Sequence, residues 1–275
     1  MMVVDLMTLD LPIQTFDKIS KLVYQVAGIN LPPEKIGLVK SRLMKRLRSL
    51  NLSTFESYLE YVNHESSGQE LTKMIDIITT NKTDFFRELQ HFNFMREKII
   101  PGFQKKQPVR IWSAGCSIGA EPYTIAIVLA EAITDLQNYD IKILATDIST
   151  EVLKTAKAGE YEAGIMEGMP DNLLKKYFFR KTDHNTIKFQ VKDSIRSMIK
   201  YANLNLMGEW PMKGPFDLIF CRNVMIYFDK HTRQVLVERF YNLLANEGYF
   251  FVGHSESLTT SSHTFKYIQP AVYQK

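Results

Sequence analysis

The chain has 275 residues, 45% of them hydrophobic, with 34 Lys and Arg against 30 Asp and Glu and a formal net charge of +4. That length and apolar content can bury a core in one large domain, or in a large and a small one. A disordered chain and a disulfide-stapled mini-fold are thereby excluded. The excess of base is too small to mark a nucleic-acid or membrane protein by itself. The two cysteines, Cys116 and Cys221, lie far apart without metal-type spacing, and the six histidines form no i,i+3 or i,i+4 ligand pair. No disulfide framework and no metal site are expected, and a reducing compartment fits. The N-terminal MMVVDLMTLDLP carries acids where a signal peptide needs base, and no apolar run approaches the roughly 18 residues of a membrane span. A cytoplasmic protein with no direct membrane insertion is expected.

The first 80 residues read as helices. Phe16, Ile19, Val23 and Val26 recur at helical spacing before Gly28, with Pro32-Pro33 beyond. Ile36, Val39, Leu43, Leu47 and Leu50 predict a second helix from about Glu34 to Leu50. Ser53, with Glu56 in the capping-box position, predicts the start of a third helix carrying Phe55, Tyr58, Leu59 and Val62. After Ser66-Ser67-Gly68, Leu71, Met74, Ile75 and Ile78 define a fourth. Short helices with brief connections form a small bundle.

From about residue 108 the period changes. The apolar runs 109–115, 141–147, 216–223 and 249–253 read as buried strands, with helices at about 121–136 and 231–244 between them. This alternation predicts a doubly wound α/β sheet. The segment 178–191 reads as a polar-tipped hairpin inserted between helix and strand.

Three places suggest chemistry. Gly115-Cys116-Ser117-Ile118-Gly119 follows the first strand, where two glycines let the backbone turn sharply and approach a ligand, although an ordinary tight turn has the same signature. The spacing is not G-x-G-x-x-G, so a dinucleotide pyrophosphate is disfavoured. Asp147 ends the second strand, 28 positions beyond Gly119, where an acid can accept from a ribose diol or cap the next helix. Arg222-Asn223 follows a third strand's carboxyl end; an arginine there suits an anionic group or, read alone, a structural salt bridge. Asn81 to Glu88 joins the two regions with a polar trio around Phe85-Phe86. Gly253-His254-Ser255-Glu256-Ser257 is not the G-x-S-x-G elbow of a hydrolase. Residues 35–48 hold six bases (Lys35, Lys40, Arg42, Lys45, Arg46, Arg48) and no acid, leaving 28 bases against 30 acids elsewhere. The chain's basicity therefore belongs to one helix, and an acidic partner suits it.

The stretches TTNKTDFFRE (79–88), RIWSAGCSIGAEPYTIAI (110–127), ILATDIS (143–149), YANLNL (201–206), FDLIFCRNVMIYFD (216–229) and GYFFVGHSES (248–257), in this order, resemble the bacterial chemotaxis receptor methyltransferases, the CheR family. The resemblance implies an all-α domain at 1–80 with the basic helix at about 34–50. It also implies a doubly wound S-adenosylmethionine-dependent methyltransferase domain at 81–275, with a small inserted β-hairpin subdomain at about 177–200. The implied cofactor is S-adenosyl-L-methionine, with S-adenosyl-L-homocysteine as product. Its contacts would be Asn81, Thr83, Arg87, Glu121, Asp147, Asn203, Leu204, Arg222 and Asn223, with Asp147 on the ribose and Asn203-Leu204 near the adenine. Arg87 and Tyr227 would lie closest to methyl transfer. The implied partner is the cytoplasmic domain of methyl-accepting chemotaxis receptors, whose acidic helical face Lys40, Arg42, Lys45 and Arg46 would recognise. The implied enzyme is a monomer.

Some family members dock the hairpin on a receptor tail, but the turn Thr182-Asp183-His184-Asn185 lacks the glycines associated with them. A nucleic-acid methyltransferase is the alternative enzyme. Amine-methylating enzymes commonly carry an Asn/Asp-Pro-Pro-aromatic motif after the fourth strand, where this chain reads Cys221-Arg222-Asn223, so no nucleic-acid partner is expected. A third reading is a cofactor-binding signalling module without catalysis.

Overall fold

The computed structural model describes residues 9–79, 83–183, 186–258 and 264–275. They fall into two compact units, one of residues 1–81 with Tyr227–Asp229, the other of Lys82–Ile226 with Lys230–Lys275.

The first unit holds four helices: α1 (Ile13–Ala27), α2 (Ile36–Leu50), α3 (Phe55–His64) and α4 (Gln69–Ile78). The expected apolar stripes point inward, with Phe16, Ile19, Val23, Val39, Leu43, Leu47, Phe55, Tyr58, Met74 and Ile75 all buried. The α3 cap differs by one residue from expectation. Thr54, not Ser53, is the cap, its hydroxyl accepting from Ser57 N at 3.1 Å. Glu56 instead accepts a hydrogen bond from the Thr15 hydroxyl of α1. The segment Tyr227–Asp229 is tied into this unit by backbone and side chain: Asn30 N donates to the Tyr227 carbonyl at 2.8 Å, and the Tyr24 hydroxyl donates to Asp229 at 2.7 Å.

The second unit runs α5 (Leu89–Phe94), β1 (Pro108–Ala114), α6 (Ala120–Ala132), β2 (Asp140–Asp147), α7 (Thr150–Ala158), β3 (Glu160–Glu162), α8 (Asp171–Tyr177), β4 (Phe178–Asp183), β5 (Thr186–Val191), α9 (Asp193–Arg196), β6 (Ile199–Asn203), β7 (Phe216–Cys221), α10 (Lys230–Leu243), β8 (Leu244–Val252), β9 (Lys266–Gln269) and β10 (Val272–Gln274). Seven strands form one sheet in the order β6-β2-β1-β7-β8-β10-β9. The first five are parallel, and β10 and β9 add antiparallel at one edge. The α/β expectation holds, with an antiparallel edge that the residue pattern did not suggest. Because helices cover the parallel strands, residues on both faces are buried: Ile111, Ile143, Leu218 and Phe220 in the core around α6, and Trp112 among Trp210, Phe216 and Phe240. Helix α6 is buried nearly all round, from Ala120 to Leu129.

The insert is a three-stranded sheet, order β3-β5-β4, rather than a hairpin alone. Its third strand is recruited from upstream, and residues 199–203 leave it to pair in parallel with β2. The tip of the 182–185 turn, His184-Asn185, lies outside the described residues. No helix among the described residues is long and apolar enough to cross a membrane.

Candidate functional site

In the large sheet the strand order reverses between β1 and β7, so the crevice beyond their carboxyl ends is where an open α/β sheet binds ligands. The 115–119 turn enters it. Gly115 and Gly119 both have positive φ, +78° and +91°. A side chain at Gly115 would run into Val224, and one at Gly119 would meet Ala156 and the Tyr201 hydroxyl, so only a bare backbone fits both places. Gly115 N and Cys116 N share the Thr146 carbonyl, at 2.8 and 2.9 Å.

Asp147 ends β2 beside this turn and is only 8% exposed. One carboxylate oxygen accepts from Ser117 N at 2.8 Å, the other from Ser149 N at 2.9 Å. A carboxylate offers about four lone-pair positions, so acceptor capacity for a diol remains. Burial pushes its pKa above the usual range, and the amides of Ser149 and Ser117 oppose that push. The cap of the next helix is Ser149 rather than Asp147, its hydroxyl accepting from Val152 N. Asn203 and Leu204 come to the same place: Asn203 Nδ2 donates to the carbonyls of Asp147 and Ile148 at 3.0 and 2.8 Å, and Leu204 N donates to the Asp147 carbonyl at 3.0 Å.

On the other side of β1, Arg222 follows β7 with its side chain only 3% exposed. Nη1 donates to Glu121 at 3.0 Å, and Nη2 donates to Glu88 at 3.0 Å and to the Arg87 carbonyl. Buried Nε has no hydrogen-bond partner among the described residues. Glu121 also accepts from the Ser113 hydroxyl at 2.6 Å. The guanidinium is thus held by two carboxylates, the salt bridge that an arginine here suggested when read alone. Two acids around one fixed base leave a net negative charge of about one, which favours a cationic ligand group. Burial raises the Glu88 pKa, but Arg222 outweighs it and the carboxyl sits below its usual range.

Thr83 and Arg87 are half-buried on the stretch leading into α5, and Asn81 lies outside the described residues. Asn223, at φ +60°, donates its N–H to Glu256 at 2.6 Å. Tyr227 belongs to the helical unit, where the Lys35 ammonium lies 5.9 Å from its ring. The basic residues of α2 divide. Arg46 makes a two-point ion pair with buried Glu70, at 2.8 and 2.6 Å; Arg42 donates to the Ile78 carbonyl; Lys40 pairs with Asp10 at 3.1 Å. Lys45 and Arg48 are exposed and make no ion pair among the described residues.

Glu256 was weighed by sequence reasoning only within the 253–257 stretch and given no role. It is 4% exposed, and its carboxylate accepts from the amides of Asn223, Gly253 and Ile226 at 2.6, 2.7 and 3.0 Å, fastening the loop after β7 to the one after β8. Burial raises its pKa against the pull of those amides. The signal was a lone acid just past a buried strand. His91 was also missed: 0% exposed, neither ring nitrogen hydrogen-bonded among the described residues, and its pKa pushed down to about 3 by burial and by Arg222. With Glu88 and His254 it brings three potential metal ligand atoms within 4.8 Å of one another. Arg222 already occupies Glu88, and its charge opposes a divalent cation there.

Residues 81–273 match the family model of the CheR methyltransferase SAM binding domain, and residues 14–79 that of the CheR methyltransferase all-alpha domain. The chain belongs to the CheR methyltransferase family. Among its relatives, chemotaxis protein methyltransferase 2 of Pseudomonas aeruginosa is 41% identical over 263 residues, covering 94% of this chain and 92% of that one. The chemotaxis protein methyltransferase of Borreliella burgdorferi is 42% identical over 266 residues (94% and 93%), and that of Escherichia coli 38% over 259 residues (94% and 89%). As a CheR family member the chain is an S-adenosylmethionine-dependent methyltransferase. The bare backbone of the glycine turn, the remaining acceptor capacity of Asp147 and the net negative charge around Arg222 fit that cofactor.

Proposed function

We propose that this CheR methyltransferase transfers the methyl group of S-adenosylmethionine to glutamate side chains in the cytoplasmic domain of chemoreceptors, forming glutamyl methyl esters. The observation that carries the reading is the gathering of the 115–119 turn, Asp147 and Asn203-Leu204 at the carboxyl ends of β1, β2 and β6, in a chain matched over both family domains. The names of its relatives supply the chemotactic setting, and the cytoplasm is the compartment we assign.

When bound, the cofactor supplies a methyl group on a sulfonium centre. Asp147 would hold the ribose hydroxyls, and Asn203-Leu204 would border the adenine. Thr83, Glu121, Arg222 and Asn223 would complete the pocket, with Asn81 assigned there by resemblance alone. A glutamate side chain ordinarily ionises with a pKa of about 4.3 and is already a carboxylate at neutral pH, so the chain needs no general base. Its task is in-line positioning and partial desolvation of the acceptor carboxylate. We assign the orienting role to Arg87 and the fixing of geometry to Tyr227. An arginine suits the first role because its planar fork pairs with both oxygens, provided the pairing is loose enough to leave the carboxylate nucleophilic.

For receptor recognition we shift the emphasis within α2. Arg46 is committed to Glu70 and Arg42 to a backbone carbonyl, so Lys45 and Arg48 are the charges best placed to steer an acidic helical face. Transfer of labelled methyl from S-adenosylmethionine to receptor cytoplasmic fragments tests the proposal. An enzyme that binds the cofactor yet leaves every such fragment unlabelled would refute it.

A further inference from the structure

The 115–119 turn is held from two directions. On the strand side, Thr146 and Asp147 accept from Gly115, Cys116 and Ser117. On the other side, the Tyr161 hydroxyl donates to the Ile118 carbonyl at 2.7 Å. Tyr161 does not belong to the large sheet. It stands on β3, an edge strand of the small one, and is 3% exposed.

Its ring is fixed by packing. Phe85 meets it edge-on at 5.2 Å and Tyr123 at 6.2 Å, and Phe85 in turn meets Phe178 of β4 at 5.5 Å. The strand is fixed as well, because Glu160 takes Lys188 of its neighbour β5 at 3.2 Å and Lys181 of β4, one strand further, at 3.5 Å. Burial raises the phenol pKa well above its usual value, which keeps the hydroxyl a proton donor at any working pH. Behind the turn, Tyr123 donates to the Ala156 carbonyl at 2.7 Å, and the Tyr201 hydroxyl closes off the space beside Gly119. The Tyr161 hydroxyl, on a ring packed between Phe85 and Tyr123, thus links the small sheet to the cofactor turn.

We infer that Tyr161 is a positioning residue for cofactor binding, the strut by which β3 of the small sheet sets the 115–119 turn. The inference rests on the reading of that turn as part of the cofactor site. It gives the inserted sheet a task inside the enzyme, separate from any contact with a partner.

The test is Tyr161→Phe in the full chain, which keeps the ring and its packing and removes only the donor. Binding of S-adenosylhomocysteine is measured by calorimetry, alongside the kinetics of methyl transfer. Loss of one buried hydrogen bond to the turn weakens binding about tenfold. The KM for S-adenosylmethionine should rise by a similar factor while kcat stays within about twofold, because the reacting groups are untouched. The melting temperature should fall by no more than about 4 °C. Parental affinity in the variant would overturn the inference. So would an equal loss in kcat and affinity with a collapsed melting temperature, since that is what a purely structural tyrosine gives. If the parent protein itself failed to bind S-adenosylhomocysteine, the cofactor reading would fall and take this inference with it.

Discussion

Arg222 and Glu121 meet at 3.0 Å between the end of β7 and the first turn of α6, with Glu88 on the other Nη nitrogen. This trio around buried Arg222 joins three segments distant in sequence. Removing one member of a buried ion pair leaves an uncompensated charge and costs about 3–5 kcal/mol. Arg222→Met should therefore lower the stability measured by urea unfolding by an amount in that range, with two carboxylates left facing each other. Arg222→Lys keeps the charge but loses the fork, and should fall between Arg222→Met and the parent.

His91 predicts a pH dependence of stability. Its folded pKa is held near 3, below the ordinary 6.5, by burial and by Arg222. The unfolded chain therefore binds the proton first as pH falls. The contribution is complete above pH 6.5 and is lost towards pH 3, with a slope of up to about 1.4 kcal/mol per unit. Glu88, whose pKa is lowered, adds a loss of the same sign only below its unfolded value of 4.5. Urea titrations at pH 7 and pH 5 should show a drop that His91→Phe reduces; an unchanged drop would contradict the assignment.

Asp147 is predicted to act through cofactor affinity. Hydrogen bonds to a charged group contribute about 1.5–3 kcal/mol, so Asp147→Ala should weaken S-adenosylhomocysteine binding about ten- to a hundredfold in calorimetry. The same substitution frees Ser117 N and Ser149 N, so part of that loss comes from a loosened turn. No loss of affinity would refute the ribose assignment.

On α2, charge and structure separate by residue. Lys45→Glu with Arg48→Glu should lower kcat/KM for a receptor fragment several-fold at low ionic strength and much less at high salt. Arg46→Glu should instead lower the melting temperature, because it sets a second acid against buried Glu70. Equal effects of the two changes on receptor methylation at constant melting temperature would contradict this division.

Much of this architecture was legible from residue patterns. The stripe Val39, Leu43, Leu47 marks α2 because a helix must repeat every three or four residues to keep one face inside. The runs at β1 and β2 are readable because strands covered on both faces are apolar throughout. Strands β3, β9 and β10 were not readable, since three or four residues carry no period. The glycine turn and Asp147 stood out because backbone geometry and strand-end position limit what such residues do. Glu256 did not, because its importance lies in backbone amides of another loop, the one after β7, some 30 positions away in sequence. The split among the bases of α2 was hidden for a similar reason: Glu70 is 24 positions from Arg46, and only the fold brings them together.

Methyl transfer to a glutamate oxygen is the central claim, and the stability of the product to alkali tests it most directly. The protein should be incubated with S-adenosylmethionine labelled in the methyl group and a receptor cytoplasmic fragment, and the labelled fragment then treated with mild alkali. Ester formation predicts label released as volatile methanol, and label abolished when the acceptor glutamates are changed to alanine. Label that survives alkali, as an N-methyl group does, would contradict it.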